Sequence, residues 1–153
     1  MNKLKKQLDI LASHISNQSI SNPEISSSDV GWHVEHILLT MNAVITAAKE
    51  SNPENYKWSF KFLKLVVFTL KSIPRGRAKA PQVVAPKTYN EESLNKHLKI
   101  ARTNLEDLKN LPSNKYFSHP FFGDLKLNKT VEFLEIHNNH HLKIIDDILK
   151  SKS

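Results

Sequence analysis

The chain contains no cysteine, which excludes a disulfide framework, thiolate metal ligands and a papain-like nucleophile. Glycine is scarce as well, with three in 153 residues, too few for a turn-rich all-β design. Long apolar runs are missing too. The most apolar window, Phe62 to Leu70, is interrupted by Lys64 and falls well short of the ~20 residues that a spanning helix needs. At the N-terminus the basic stretch Met1 to Lys6 reaches Asp9 before a secretory apolar region can form, so a cytoplasmic protein without membrane insertion is expected. What is present is 39% hydrophobic and 24% charged residues, an ordinary balance for a globular protein. The length suits a single domain over residues 1–153. A formal net charge of +7 favours anionic partners through long-range attraction.

Apolar periodicity predicts helices. Leu4, Leu8, Leu11 and Ile15 recur at helical spacing over residues 2–17. Asn22-Pro23 and Ser26 to Ser28 punctuate a loop, with Ser28 as a candidate N-cap and Asp29 in the first turn of a second helix over 29–50. On that helix Trp32, His36, Leu39, Ala43 and Ala47 form a stripe directed at the interior. Pro53 ends it, and Trp58 to Ser72 reads as a third helix, apolar except for Lys57, Lys61, Lys64 and Lys71 on one face. Pro74, Gly76, Pro81 and Pro86 make Ile73 to Thr88 an extended surface excursion. Asn90 opens a further helix with a seam of Leu94, Leu98, Ala101, Leu105 and Leu108, closed by Pro112. A turn-rich segment, Ser113 to Asp124, precedes a last helix over 127–149, where Leu134, His137, His141, Ile145 and Ile148 share a stripe. The expected fold is all-α: an antiparallel four-helix bundle with an additional short helix and a long basic loop, its core open to a site between facing helices.

Histidine is the remaining ligand type. His137 and His141 are four residues apart, which stacks them on one helical face with Cβ atoms roughly 5–6 Å apart. His36 repeats the situation on a second helix. Neutral polar rings on aliphatic stripes need hydrogen-bond or metal partners. Three imidazoles would leave a coordination position open for water or substrate, the pattern of a catalytic site, with Zn or Ni favoured over Fe or Mn. Core histidines satisfied without metal are the competing reading, since the chain has eight. Helical phase leaves His140 open as a substitute for His141, and His33 for His36. His14 and His97 read as surface or boundary residues, and Glu35 and Glu135 as helix-surface carboxylates.

Gly31-Trp32-His33-Val34-Glu35-His36 near the start of one helix and His137-Asn138-Asn139-His140-His141 near the end resemble the DinB-like superfamily. The segment His119 to Leu125 is similar to an uncharacterised branch in which HPxFGxL precedes an HxxHHL helix. The resemblance spans nearly the whole chain. It implies a four-helix bundle with a divalent ion on His36, His137 and His141. Characterised relatives include thiol S-transferases that use mycothiol or bacillithiol, and a mycothiol-dependent maleylpyruvate isomerase. A metal-dependent transferase activating a low-molecular-weight thiol, or water, is therefore the leading expectation, with a thiol or an electrophile as small-molecule partner. The chain departs from the pattern at Ile144, where many members carry glutamine, and near Thr130, where many in the branch carry tryptophan. Asp146 and Asp147 follow the site, and the phase lets at most one approach it.

Other residues carry weaker signals. His119, in the turn before the last helix, is a candidate proton shuttle or fourth ligand. The alternative is that it caps that turn while Phe121 and Phe122 plug the bundle end. Arg75, Arg77 and Lys79 in the basic loop are candidate contacts for an anionic group such as the carboxylate of a thiol cofactor, against a solvated basic surface. The competing functions are a metal-binding bundle without catalysis and a basic binder of nucleic acid or another anionic surface. No nucleic-acid module is recognisable, which counts against nucleic acid. The apolar third helix is a candidate homodimer interface.

Overall fold

The leucine repeats at the two ends and in the middle of the chain become helices that bury the predicted side chains. The computed structural model describes residues 1–76 and 81–151; the candidate anion contacts Arg77 and Lys79 lie outside them. Helix α1 is Asn2–His14, extended by a 3-10 turn at Ile15–Asn17, and buries Leu4, Leu8, Leu11 and Ile15. Helix α4, Glu91–Lys109, buries all five residues of its predicted seam. Its start is set by a capping box in which Asn90 and Ser93 satisfy each other's backbone amides. Helix α5, Leu127–Lys150, buries Leu134, His137, His141, Ile145 and Ile148 on one face.

Helix α2, Val30–Glu50, departs from the predicted stripe. Ala43 and Ala47 are exposed, and the buried set runs through Val34, Ile37, Leu38, Met41, Val44, Ile45 and Ala48. Alanine favours a helix on any face, so the bulkier Val, Ile, Leu and Met define the core side. His36 is buried nonetheless, because the first half of α2 is covered on several sides.

The ion pairs and hydrogen bonds fix the helix directions. Lys5–Glu106 at 2.9 Å and Asp9–Arg102 at 2.8 Å run α1 antiparallel to α4. His33–His141 and His36–His137 run α2 antiparallel to α5. Glu35–His97, Asn42–Asn104 and Lys49–Asp107 make α2 parallel to α4. The N-terminus near Glu135 and His14 near Asp146 make α1 parallel to α5. The expected antiparallel arrangement thus holds for two neighbouring pairs and is corrected for the other two. Parallel neighbours need a long crossover, and residues 51–90 supply it between α2 and α4.

That crossover carries α3, Phe62–Leu70, shorter than predicted and preceded by residues 56–61 without regular secondary structure. The described residues are mostly helical, as expected, with one addition: a small two-stranded antiparallel hairpin, β1 Tyr116–His119 and β2 Gly123–Lys126. Leu125 points into the core from β2. Gly123 has a left-handed φ of +69° and an α-carbon pressed against Ser59, so its turn requires glycine on both counts. Thr130, fully buried, donates its hydroxyl to the carbonyl of Leu125 at 2.7 Å and ties the hairpin exit to α5. No helix among the described residues is long and apolar enough to cross a membrane.

Candidate metal centre

The position of the histidines on α2 is set at its first turn. Asp29, one residue beyond the predicted cap Ser28, accepts a hydrogen bond from the Trp32 amide at 2.8 Å and another from the Tyr89 hydroxyl at 2.5 Å. A Cβ on Gly31 would meet the Tyr89 ring at 2.5 Å and the Gln18 carbonyl at 2.9 Å. Glycine therefore lets Tyr89 and the loop after α1 close over the helix start.

From there His36 projects toward His137 and His141 on the facing helix, and the three are buried. One ligand atom from each lies within 4.8 Å of the others. The Nε2 atoms of His36 and His137 are 3.1 Å apart. Two imidazole nitrogens on one tetrahedral zinc, each ~2.0–2.1 Å from it, would stand about 3.3 Å apart. The three converging residues are those expected. His33 and His140, the open substitutes, occupy other positions.

Partners behind the rings decide which nitrogen is free. His36 Nδ1 lies 2.8 Å from the carbonyl of Val84, which only accepts, so Nδ1 carries the proton and Nε2 presents its lone pair. His141 Nδ1 lies 3.0 Å from His33 Nδ1, and His33 Nε2 lies 3.0 Å from the Ser26 hydroxyl. This relay leaves Nε2 of His141 as its uncommitted nitrogen. His137 differs. Its Nδ1 is buried without a hydrogen-bond partner, as is the amide oxygen of the adjacent Asn138. With a metal on Nε2, His137 must hold its proton on Nδ1, a donor that matches the orphaned acceptor beside it. Without one, His137 Nε2 must donate to His36, and Nδ1 becomes a second buried acceptor. Unsatisfied buried groups cost about 1–3 kcal/mol each, and both His137 Nδ1 and the Asn138 amide oxygen stand unpartnered here.

The protonation states agree. Burial holds His137 well below the usual histidine range, and repulsion from neighbouring His36 and His140 in their protonated forms acts in the same direction. Burial likewise lowers His36, partly offset by the Val84 carbonyl, and lowers His141 strongly, with the neighbouring histidines pushing the same way. Burial brings His33 down to about 4. All four are neutral at pH 7, as metal ligands and their supports must be. The donor set can hold a divalent ion, with nitrogen ligands throughout and at least one coordination position left over.

The basic loop is not merely an excursion over the surface: a 3-10 turn at Gln82–Val84 folds back, buries Val84 and delivers the carbonyl to His36. Trp32 stacks on His36 with ring centroids 5.0 Å apart. His119 does not join the histidine group. Its Nδ1 accepts the amides of Phe121 and Phe122 at 3.1 and 3.2 Å, and its ring stacks on Phe122 at 4.2 Å. It caps the hairpin turn, and burial brings its pKa down to about 4. Phe133 packs against both His119 and His137. Glu35 is no surface carboxylate: it is 3% exposed and accepts from His97 Nδ1 at 2.8 Å. Asp147 pairs with Arg75 at 2.7 Å, and Asp146 lies near His14. Ile144 is simply core.

Arg75 lines a cavity of about 240 Å³ with Lys71, Ser72, His140 and Lys143. Burial and the Arg75 charge hold His140 below its ordinary range, the Ile73 carbonyl pulling the other way. The His140 ring packs edge-on against His141 at 4.9 Å, so this cationic cavity and the histidine cluster share a wall.

Sequence reasoning missed the Val84 carbonyl, the relay from Ser26 through His33, and the Asn138 amide. The spacing of His33 three residues before His36 on the same helix was the one available signal. No protein-family model, curated protein or solved structure matches the chain.

Proposed function

We propose that this chain is a DinB-like protein that binds one divalent ion through His36, His137 and His141 and serves as a metal-dependent transferase for a low-molecular-weight thiol. The observation that carries the reading is the convergence of three buried, neutral imidazoles from two facing helices, two of them held from behind by Val84 and His33. Such outer partners orient ligands and raise their basicity. Zn or Ni suits the all-nitrogen set. The ion would supply Lewis acidity, lowering the pKa of a thiol or water at the open position.

The chain's own residues do the rest. Val84 and His33 hold protons away from the nitrogens that face the centre. Trp32 shields one side of His36 from water. The cavity of Arg75, His140 and Lys143 offers donors for an anionic end of the substrate, such as a carboxylate. His119, committed to its turn, leaves proton movement to the substrate and water.

The test is elemental analysis of untagged protein beside His137→Ala and His141→Ala, followed by a panel of thiols and electrophiles. Near-stoichiometric metal lost in both variants, with thiol-dependent turnover lost alongside it, supports the proposal. Metal without turnover across the panel leaves a non-catalytic metal protein. Absence of metal after incubation with Zn and Ni overturns the reading altogether.

A further inference from the structure

The crossover between α2 and α4 combines two properties found nowhere else in the described chain. Six of the ten exposed large apolar side chains among the described residues lie between Trp58 and Leu70. Trp58 is 73% exposed, Phe60 64% and Phe62 71%. Trp58 and Phe60 precede α3 in a stretch without regular secondary structure, extended at Lys61, and Phe62 is the first residue of the helix. The segment is docked on the hairpin: the Lys57 amide donates to Asp124 at 2.8 Å, and the Ser59 side chain lies against Gly123. Phe121, two residues from Gly123 in the hairpin turn, adds a further exposed ring at 56%. A folding requirement does not explain such a face, since only Val67 and Phe68 of α3 are buried.

The second property is charge. Between Glu54 and Glu91 the chain carries eight lysines and arginines and no acidic residue, whereas the remainder holds 14 basic and 15 acidic residues. The entire net positive charge therefore resides in the crossover. Among the described residues the side chains of Lys57 and Lys61 have no acidic partner.

We infer that the strap from Lys57 to Lys71 seats the protein on the surface of an anionic lipid bilayer, with Trp58, Phe60 and Phe62 in the headgroup layer and the ammonium groups of Lys57 and Lys61 against lipid phosphates. Aromatic rings with lysines at their margins are the pairing that an interfacial segment needs, apolar bodies entering while ammonium groups stay with the anions. A second copy of this face would bring like charges together, which disfavours self-association through it. Leu63, Leu65 and Leu70, all exposed, have no role in stacking on bases, which separates this face from a nucleic-acid platform. The seat is peripheral and independent of the metal.

The test is sedimentation of the full chain with vesicles of phosphatidylcholine alone or with one third phosphatidylglycerol, at low and at 0.5 M salt. Binding is expected only to the anionic vesicles, reduced at high salt. Trp58→Ala combined with Phe60→Ala, both outside the core, should lower the bound fraction at least tenfold without changing the melting temperature. In a Trp32→Phe background, Trp58 emission should shift to the blue on vesicle addition. No sedimentation with anionic vesicles at low salt overturns the inference, as does binding undiminished in the double variant. So does a dimer mass by light scattering that the double variant abolishes, which would assign the face to a second copy. Binding to an RNA or DNA oligomer through the same two residues, with none to vesicles, overturns it as well.

Discussion

The interior between α2 and α5 and the strap from Lys57 to Lys71 break the same rule in opposite directions. One buries four imidazoles where aliphatic side chains would pack more simply; the other leaves rings and leucines in water. Most of the molecule follows the ordinary partition, and the leucine seam of α4 shows that the chain can satisfy it. Paired departures of this kind mark places where requirements other than folding shaped the sequence. In the buried one His33, His36 and His141 are held by hydrogen bonds while His137 Nδ1 lacks a partner; the exposed one presents its rings to solvent, as suits a surface that meets something outside the chain.

The comparison breaks most sharply at the ligands. His137→Ala or His141→Ala should reduce bound metal from about one equivalent to a trace, read by elemental analysis, while the strap variant Trp58→Ala with Phe60→Ala keeps full metal content. Retention of metal in either histidine variant would remove the interior from the comparison. A smaller effect is expected one shell out. His33→Ala deletes the partner of His141 Nδ1 and should weaken metal affinity by roughly 10–100-fold, measured by competition with a chromogenic chelator. Unchanged affinity would mean that the relay from Ser26 is packing alone.

Acid offers a graded version of the same test. Burial places His33 and His119 at about 4 when folded, below the ~6.5 of an unfolded chain. The unfolded state therefore binds more protons as pH falls through ~6.5, and stability drops between there and about 4, with little further loss from these two groups below. Above ~6.5 their contribution is fully present. The melting temperature of the metal-free protein should fall across that window, and a flat profile would contradict the neutral interior. The smallest effect is His119→Ala, which leaves two hairpin amides without their acceptor and should cost about 1–3 kcal/mol in thermal or urea unfolding with metal content unchanged. Loss of metal there would return His119 to the centre.

Much of this was legible before any coordinates. The repeats of α1, α4 and α5 specify helix, face and burial together, because bulky apolar residues at three- and four-residue steps have one economical arrangement. On α2 the same logic misplaced the stripe at Ala43 and Ala47, since small residues do not declare a side. The hairpin was hidden by strands four residues long, in which turn chemistry at His119 and Gly123 matters more than any apolar pattern. Glu35 looked like a surface carboxylate because its partner, His97, comes from another helix.

The sequence by itself determined that α1, α2, α4 and α5 form and that His137 and His141 share a face, because those properties depend on neighbours within a few residues; the bounds of α3 were not among them. Tertiary structure alone decided that α2 runs parallel to α4, that His36 converges on both His137 and His141 while His33 stands behind His141, and which nitrogen of each ring is free. Those outcomes rest on groups such as the Val84 carbonyl, a backbone atom carried by every residue, whose meaning arises only from what folding brings to within 2.8 Å of it.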